Sequence, residues 1–237
     1  MQDFTGKVVL TTGAAGNLGE AVTRAFYDAG ASLALVDNRE DRLLPLFGNL
    51  DPARVLLVGG VDVTDETAVT HMTTTSINRY GRVDILCNIA GGFKMGTAVH
   101  ETSLSDWEFM LNLNAKSVFL VSRAIIPHML AQGSGKIISV AARAALEGKA
   151  KMAAYTVSKS AVIRLTEGMA AELKDNGITV NCILPGTIDT PQNRAAMPNA
   201  NFDKWVAPEA LADVMLFLAS DGARAVTGAA VPVYGRS

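Results

Sequence analysis

The chain has 237 residues, of which 49% are hydrophobic and 19% charged, a composition that excludes disorder and fits one domain over residues 1–237. The formal net charge of −2 provides no basic surface for a nucleic acid. No apolar run approaches the roughly 18 residues of a membrane span, and residues 1–7 do not resemble a signal peptide. We therefore expect a compact cytoplasmic domain that binds neither nucleic acid nor membrane.

Short apolar runs alternate with helical patterns along the whole chain. The runs are almost continuously hydrophobic, which is typical of strands in a parallel sheet covered by helices on both faces. We predict a single-domain, Rossmann-like α/β fold: a doubly wound parallel sheet of about seven strands with ligands beyond the carboxyl ends of the strands. The runs lie at residues 8–10, 33–36, 55–58, 85–87, 137–138, 180–184 and 231–233.

A glycine-rich turn follows the first predicted strand. Three glycines spaced by three residues precede a helical pattern that ends at Gly30. Such a turn lets the backbone approach a pyrophosphate, and the helix N-terminus adds free N–H groups with partial positive charge. A turn without any ligand is the alternative interpretation of the triplet. The candidate cofactor-binding residues here are Gly13, Gly16, Asn17, Leu18 and Gly19.

Acidic residues end the second and third predicted strands. Asp37 lies 24 residues after Gly13, where a carboxylate can bind the adenosine ribose hydroxyls and repel a 2′-phosphate. We therefore predict NAD as the cofactor, with NADH preferred over NADPH, although Arg39 is near enough to pair with a phosphate. Asp62 and Val63 are predicted to contact the adenine. The alternative for Asp62 is the N-cap of the following helix.

Tyr155 and Lys159 are four residues apart, which places them on one face of a helix. A nearby ammonium favours the phenolate, so we expect Lys159 to lower the pKa of Tyr155 from its ordinary value near 10. A tyrosine tuned in this way suits general acid catalysis. An ordinary amphipathic helix is the alternative.

The cysteines and histidines indicate no further chemistry. Cys87 and Cys182 lie in apolar runs, and we predict buried free thiols in a reducing compartment. His71, His100 and His128 are scattered without a second ligand at helical spacing, so no metal site is predicted.

Taken together, these motifs resemble the short-chain dehydrogenase/reductase family over essentially the whole chain. Further shared features are Asn114 in a long helix and the segments 88–91, 185–190 and 227–228. The resemblance implies that Tyr155 is the general acid/base, that Lys159 holds the nicotinamide ribose and tunes Tyr155, and that Asn114 anchors a water in a proton relay. It also implies cofactor contacts from Asn88, Ala90, Gly91, Pro185, Gly186, Ile188 and Thr190, besides Tyr155 and Lys159.

Two positions depart from the family pattern. Asn17 replaces a glycine, and we expect the turn to survive because asparagine tolerates left-handed backbone angles. Ala142 stands 13 residues before Tyr155, where the family has a serine that polarises the substrate carbonyl. Ser139 lies nearer the strand interior and cannot substitute. Losing such a donor costs roughly 10²–10³ in rate, so ordinary ketone reduction is expected to be weak.

The segments on the substrate side resemble the dihydropteridine reductase branch, which also has alanine in place of that serine. Residues 189–205 follow the pattern D-T-P-x-N-R-x-x-M-P-x-A-x-F-x-x-W, whereas Asn114 departs from this branch. The resemblance implies hydride transfer from NADH to a small-molecule acceptor, either a quinonoid dihydropteridine or a similar flat conjugated ring. The candidate substrate-binding residues are Phe93, Ala142, Arg143 and Trp205.

Two alternatives remain open, the second of them from a different functional class. One is a general alcohol or carbonyl dehydrogenase of the 3-oxoacyl type, and the other is an NAD-binding sensor or scaffold with little turnover. The intact pair of Tyr155 and Lys159 argues against a scaffold, which has no use for an activated phenol. The family resemblance further implies a homodimer or homotetramer that pairs through the helices around residues 114–129 and 152–174.

Overall fold

The computed structural model describes residues 2–236. Each of the seven predicted apolar runs lies within a strand, and all seven strands are parallel members of one sheet. The sheet order is β3-β2-β1-β4-β5-β6-β7. The strands are β1 (Val8–Thr12), β2 (Ser32–Val36), β3 (Val55–Val58), β4 (Ile85–Asn88), β5 (Gly135–Val140), β6 (Ile178–Pro185) and β7 (Ala230–Val233).

Eight α-helices connect the strands within the described residues. A single π-helical segment, Asn112–Lys116, joins the fourth and fifth helices, and short 3-10 turns at Arg143–Leu146 and Phe202–Lys204 border the substrate side. The helices are α1 (Asn17–Asp28), α2 (Glu40–Phe47), α3 (Glu66–Tyr80), α4 (Leu104–Leu111), α5 (Ser117–Gln132), α6 (Ala153–Leu173), α7 (Pro191–Ala196) and α8 (Pro208–Ala219).

Helices cover both faces of the sheet, as the continuous hydrophobicity of the strands predicts. Alternate strand residues point to opposite faces, so Val9 joins a core cluster with Phe26 of α1 and Met215 of α8. Its neighbour Leu10 joins a second cluster with Ile125 of α5. The prediction of a single-domain, doubly wound sheet is therefore confirmed.

The helical stretch Leu104–Gln132 is apolar enough, over its 29 residues, to cross a membrane by length and composition. This differs from our expectation that no stretch of the chain reaches that composition. Its apolar side chains have another partner, because Val121, Ile125 and Met129 are buried against the sheet. We therefore describe it as a core helix of the α/β fold.

Both cysteines are free and buried, as predicted. Cys87 lies in β4 and Cys182 in β6. Burial raises the pKa of Cys87, and it raises the pKa of Cys182 to about 11. Both thiols therefore stay protonated and unreactive at neutral pH.

The connections of β1 create a crevice at the carboxyl ends of the central strands. The chain turns from β1 to β2 on one side, whereas β4 pairs with the other side of β1. At this reversal the loops after β1 and β4 diverge and leave a ligand crevice. The hydroxyl of Thr12 lies between them and accepts hydrogen bonds from the N–H groups of Ile89 and Ala90, at 3.2 and 3.3 Å.

Candidate active site

The glycine-rich turn forms a tight backbone cradle between β1 and α1. Gly13 has φ +67°, and a Cβ added there would lie 2.8 Å from the backbone of Ala90. A Cβ at Gly19 would lie 2.1 Å from the carbonyl oxygen of Gly13. No described side chain caps the α1 N-terminus at Gly16. Its first N–H groups therefore remain available to an anion.

Two residues of this turn differ from the expectation. Asn17 does not use a left-handed conformation, because Lys151 is the one non-glycine residue with positive φ in the described chain. Asn17 is instead the first residue of α1, where any residue fits, and its side-chain amide donates to Gln192 of α7 at 2.8 Å. Leu18 is buried in the core, so only its main chain can contact a cofactor.

Asp37 follows β2 and lies beside the glycine-rich turn. It is only 8% exposed, and its Oδ2 accepts a hydrogen bond from the N–H of Ala15 at 2.9 Å. Its Oδ1 accepts from the N–H of Arg39 at 3.0 Å. These two bonds hold the carboxylate at the end of β2, where our prediction places the adenosine ribose.

The alternative interpretation of Asp62 as a helix cap is wrong. The N-cap of α3 is Asp65, whose Oδ1 accepts from the N–H of Ala68 at 2.7 Å. Asp62 is exposed, and its Oδ1 binds both the N–H and the hydroxyl of Thr64 in a local turn. Val63 beside it is buried. Of the two side chains predicted to contact the adenine, only that of Asp62 is exposed.

The side chain of Asn88 points into the protein, away from the crevice. It is buried, and its amide donates to the hydroxyls of Ser122 and Ser139 at 3.2 and 3.3 Å. This arrangement braces β4 against β5 and α5. A cofactor contact from Asn88 is therefore open only to its main chain, because the side chain is engaged in the interior.

Asn114 lies in the π-helical segment and clamps the loop after β4. Its Oδ1 accepts from the N–H of Gly92 at 2.9 Å, and its Nδ2 donates to the Gly92 carbonyl at 3.0 Å. The same Nδ2 contacts the hydroxyl of Ser158 on α6 at 3.0 Å. The side chain of Asn114 therefore holds this loop, and the water-anchoring role that the family resemblance implies stays a prediction.

Tyr155 and Lys159 lie on α6 and meet the crevice from one side. The Lys159 ammonium is buried and donates to the carbonyl of Val140 at 2.7 Å. A Cβ on Gly91 would lie 3.2 Å from Lys159 Nζ and 2.8 Å from Asn114 Oδ1. A side chain at position 91 would therefore force the Asn114 amide or the Lys159 ammonium to shift.

The expected lowering of the Tyr155 pKa is wrong for this structure. Burial raises the pKa of Tyr155 to about 12, and burial lowers the pKa of Lys159 to about 8. Desolvation disfavours the charged form of each group and outweighs any attraction between them. The phenol therefore keeps its proton at neutral pH, while Lys159 is close to losing its own.

The segment after β6 forms the opposite wall of the crevice. Pro185 ends the strand, and the N–H of Gly186 donates to the carbonyl of Val233 at 3.0 Å. Ile188 is bridged to Val206. Thr190 is the N-cap of α7, and its hydroxyl accepts from the N–H of Asn193 at 3.2 Å. The Thr190 hydroxyl is thus already engaged in capping before any ligand binds.

Ala142 follows β5 and begins the 3-10 turn Arg143–Leu146. It is buried and presents a methyl group where the family resemblance leads us to expect a hydroxyl. Ser139 lies inside β5, fully buried, and accepts a hydrogen bond from Asn88. It therefore cannot serve as the missing donor.

The other substrate candidates lie in different environments. Phe93 is 58% exposed, and its ring contacts Tyr155 edge-to-face with 4.8 Å between centroids. The Arg143 guanidinium lies over the ring of Tyr234 at 4.9 Å. Trp205 packs on Phe202 with 4.8 Å between centroids. The structure thus brings Phe93 to the tyrosine, whereas Arg143 and Trp205 contact other aromatic side chains.

The residues of the crevice fit a nicotinamide dinucleotide. The backbone cradle of Gly13 and Gly19, which a Cβ would fill, matches a pyrophosphate at the α1 N-terminus. Asp37 lies beside this cradle, bonded to the N–H of Ala15, and Lys159 lies next to Gly91 in the loop after β4. The contacts of the individual residues with a cofactor remain predictions.

Sequence reasoning did not single out two residues that the structure places at this crevice. Ser158 donates to the carbonyl of Tyr155 at 2.7 Å while accepting from Asn114. Gln192 joins Asn17 beside a cavity of about 690 Å³ between α1 and α7. Both lie inside the motifs quoted above, but no local pattern reveals a hydrogen-bond partner distant in sequence.

Comparisons with known proteins agree with this geometry. The sequence model of the family described as short chain dehydrogenase matches residues 7–201. The 3-oxoacyl-(acyl-carrier-protein) reductase FabG of Thermotoga maritima is 33% identical over 97% of this chain and 97% of its own. Meso-2,3-butanediol dehydrogenase of Serratia marcescens is 33% identical over 98% and 94%. The crystal structure of 3-ketoacyl-(acyl-carrier-protein) reductase from Brucella melitensis complexed with NADH has a TM-score of 0.89 at 28% identity, covering 99% of this chain and 100% of that one.

The buried ammonium of Lys159 predicts a distinct dependence of stability on pH. Its folded pKa of about 8 is below the ordinary 10.5, so the penalty for burying charge is complete below pH 8 and is relieved as pH rises toward 10.5. Relative to Lys159→Met, the wild-type free energy of unfolding should gain about 2 kcal/mol between pH 7 and 9.5, measured by urea denaturation. The exposed Lys204→Met control should match wild type. Equal pH slopes for wild type and Lys159→Met would contradict the assignment.

Proposed function

The chain belongs to the short-chain dehydrogenase family, and on that premise we propose that it transfers hydride from NADH to a flat conjugated acceptor such as a quinonoid dihydropteridine. Its membership makes it an NAD(P)-dependent oxidoreductase of Rossmann-like fold. This disfavours the alternative of a sensor or scaffold. The acceptor class is our proposal, and it follows from one position in the site.

Ala142 is the observation that carries the proposal. A simple ketone gains negative charge on oxygen as hydride arrives, and a hydroxyl donor there is worth roughly 10²–10³ in rate. Ala142 supplies none, and Ser139 is buried behind it. A quinonoid ring delocalises the incoming electron pair over its conjugated system, so it depends less on a donor aimed at one oxygen. The pteridine-like pattern of residues 189–205 also supports this acceptor.

The residues of the chain perform binding and proton transfer. Bound NADH supplies the hydride. The glycine-rich turn and Asp37 hold the adenosine half, and Lys159 is placed to bind the nicotinamide ribose. Tyr155, whose raised pKa of about 12 keeps it protonated, donates its proton to the reduced acceptor. Phe93, which lies edge-on to that phenol at 4.8 Å, shields it from water and offers an apolar surface to a ring.

A general alcohol or carbonyl dehydrogenase is the second candidate. The relatives named above act, by their names, on 3-oxoacyl groups and on butanediol, which favours a carbonyl substrate. On this reading another donor takes the place of the serine. The candidates for this donor are the main chain of Asn114 and a water held there.

The preference for NADH rests on Asp37. The Brucella melitensis reductase complexed with NADH supports a nicotinamide cofactor. A carboxylate beside the ribose repels a 2′-phosphate and binds the free hydroxyls. The cytoplasmic location remains part of the proposal, together with the absence of a nucleic-acid or membrane partner.

Self-association is proposed through the layer of α4, α5 and α6. Phe109, Phe119 and Val157 on these helices are exposed, although they are large and apolar. Apolar side chains concentrated on one layer are typical of an interface between copies. We therefore propose a homodimer or homotetramer.

Substrate class is tested by measuring NADH oxidation with quinonoid dihydropterin, simple ketones and a 3-oxoacyl thioester. We expect turnover of the pterin and weak reduction of ketones by wild type. Ala142→Ser should raise kcat/KM for ketones by up to roughly 10²–10³ and leave the pterin rate nearly unchanged. The control Ala144→Ser adds the same hydroxyl two residues away and should have no such effect. Fast ketone reduction by wild type, unaffected by the serine, with no turnover of pterin would overturn the proposal.

The role of Tyr155 is tested by Tyr155→Phe. NADH affinity should stay within about twofold, because the dinucleotide is held by other residues, while kcat should fall by roughly 10²–10⁴. The loss of kcat should be smallest for the quinonoid acceptor, because water can replace the phenol as its proton donor. Tyr27→Phe, which removes a hydroxyl that accepts a hydrogen bond from the main-chain N–H of Asp51, should retain kcat. An undiminished kcat in Tyr155→Phe would exclude the phenol as proton donor.

Assembly is tested by light scattering at micromolar concentration. The mass should be two or four times the 24.9 kDa of one chain. Phe119→Glu should reduce it by placing a charge within the proposed interface, whereas Leu44→Glu, an exposed position on α2 in the opposite layer, should not. A wild-type mass near 24.9 kDa would rule out this proposal.

A further inference from the structure

Arg39 lies beside the proposed ribose site, but its guanidinium is turned toward Asp41. Its main-chain N–H donates to Asp37 Oδ1 at 3.0 Å, which places its backbone next to the carboxylate expected to bind ribose. Its Nε and Nη2 donate to the two carboxylate oxygens of Asp41, each at 3.0 Å. The guanidinium beside Asp37 is therefore held in a two-bond pair with Asp41.

We propose that Asp41 is a specificity-determining residue for the cofactor, because it keeps Arg39 from binding the 2′-phosphate of NADPH. The inference rests on the proposed NADH preference and extends it to a second acid. A phosphate, like a carboxylate, is a ligand that an arginine fork binds through paired N–H groups. Asp41 occupies the Nε–Nη2 edge of that fork.

Asp41 opposes a 2′-phosphate in two ways. NADPH must either displace the carboxylate from Arg39 or share the guanidinium with it. In both cases the negative charge of Asp41 stays close to the incoming phosphate. The carboxylate also raises the pKa of Arg39, and the pKa of Asp41 is lowered in turn, so both groups are charged at neutral pH.

The partly compensated charge of Asp37 allows a second residue to contribute to the discrimination against NADPH. Its two oxygens already accept main-chain N–H groups from Ala15 and Arg39, which partly compensate its charge. Removing Asp41 alone therefore frees a cation within reach of the ribose. The Arg39–Asp41 pair is exposed, at 57% and 67% of the side-chain surfaces, and exposed pairs are weak. The expected effect is accordingly a few-fold change.

The test compares the Kd values of NADPH and NADH by titration calorimetry, which requires no acceptor. Asp41→Asn should tighten NADPH about three- to tenfold and leave NADH within twofold. Glu40→Gln removes the same charge one residue earlier, where no ion pair to Arg39 is formed, and should tighten NADPH much less. The double variant Arg39→Ala/Asp41→Asn should lose the gain in NADPH affinity that Asp41→Asn alone produces.

Three results would overturn the inference: unchanged NADPH affinity in Asp41→Asn, an equal gain in Glu40→Gln, or a gain that persists without Arg39. Wild-type protein that already binds NADPH as tightly as NADH would refute the proposed cofactor preference instead. The ratio of the NADPH Kd values of Asp41→Asn and wild type would still decide the role of Asp41. Binding without turnover of any acceptor would count against the proposed function only.

Discussion

The reversal of strand order at β1, where the sheet grows first to one side and then to the other, is the constraint on which the rest of the site depends. Because β2 and β4 pair with opposite sides of β1, the loops that leave their carboxyl ends diverge and create the crevice. Thr12 holds the β4 loop at this point through two main-chain hydrogen bonds. Gly13 can then contact Ala90 closely enough that no side chain fits between them. The cofactor cradle is thus a product of sheet topology.

Buried polar groups at the floor of the crevice set its chemistry. The Lys159 ammonium and the Asn114 amide both lie close to Gly91, and the amide also bonds Gly92. Burying these groups is costly, so each has specific main-chain partners. The same burial raises the pKa of Tyr155 and lowers that of Lys159. The phenol therefore carries its proton at neutral pH, but its raised pKa makes it a weaker acid than the sequence predicts.

The substrate side is where this chain departs from its family. Ala142 lacks the hydroxyl that assists a carbonyl, whereas the named relatives include a 3-oxoacyl reductase and a butanediol dehydrogenase. Family membership therefore accounts for the fold and for hydride transfer with a nicotinamide cofactor, whereas the class of acceptor is our proposal. We base the proposal of a flat acceptor on Ala142, because a conjugated ring depends less than a simple ketone on the hydroxyl donor that is missing there.

The sequence by itself determined the seven strands, the two-sided helix layers and the free thiols, because apolar periodicity is a local signal. It also placed Tyr155 and Lys159 on one helix face. Only the tertiary structure decided that Asp65 rather than Asp62 caps α3, that the Asn114 side chain clamps Gly92, and that Arg39 pairs with Asp41. It likewise reversed the expected pKa shift of Tyr155. These features depend on burial, or on which of several possible partners a polar side chain meets, and spacing along the chain fixes neither.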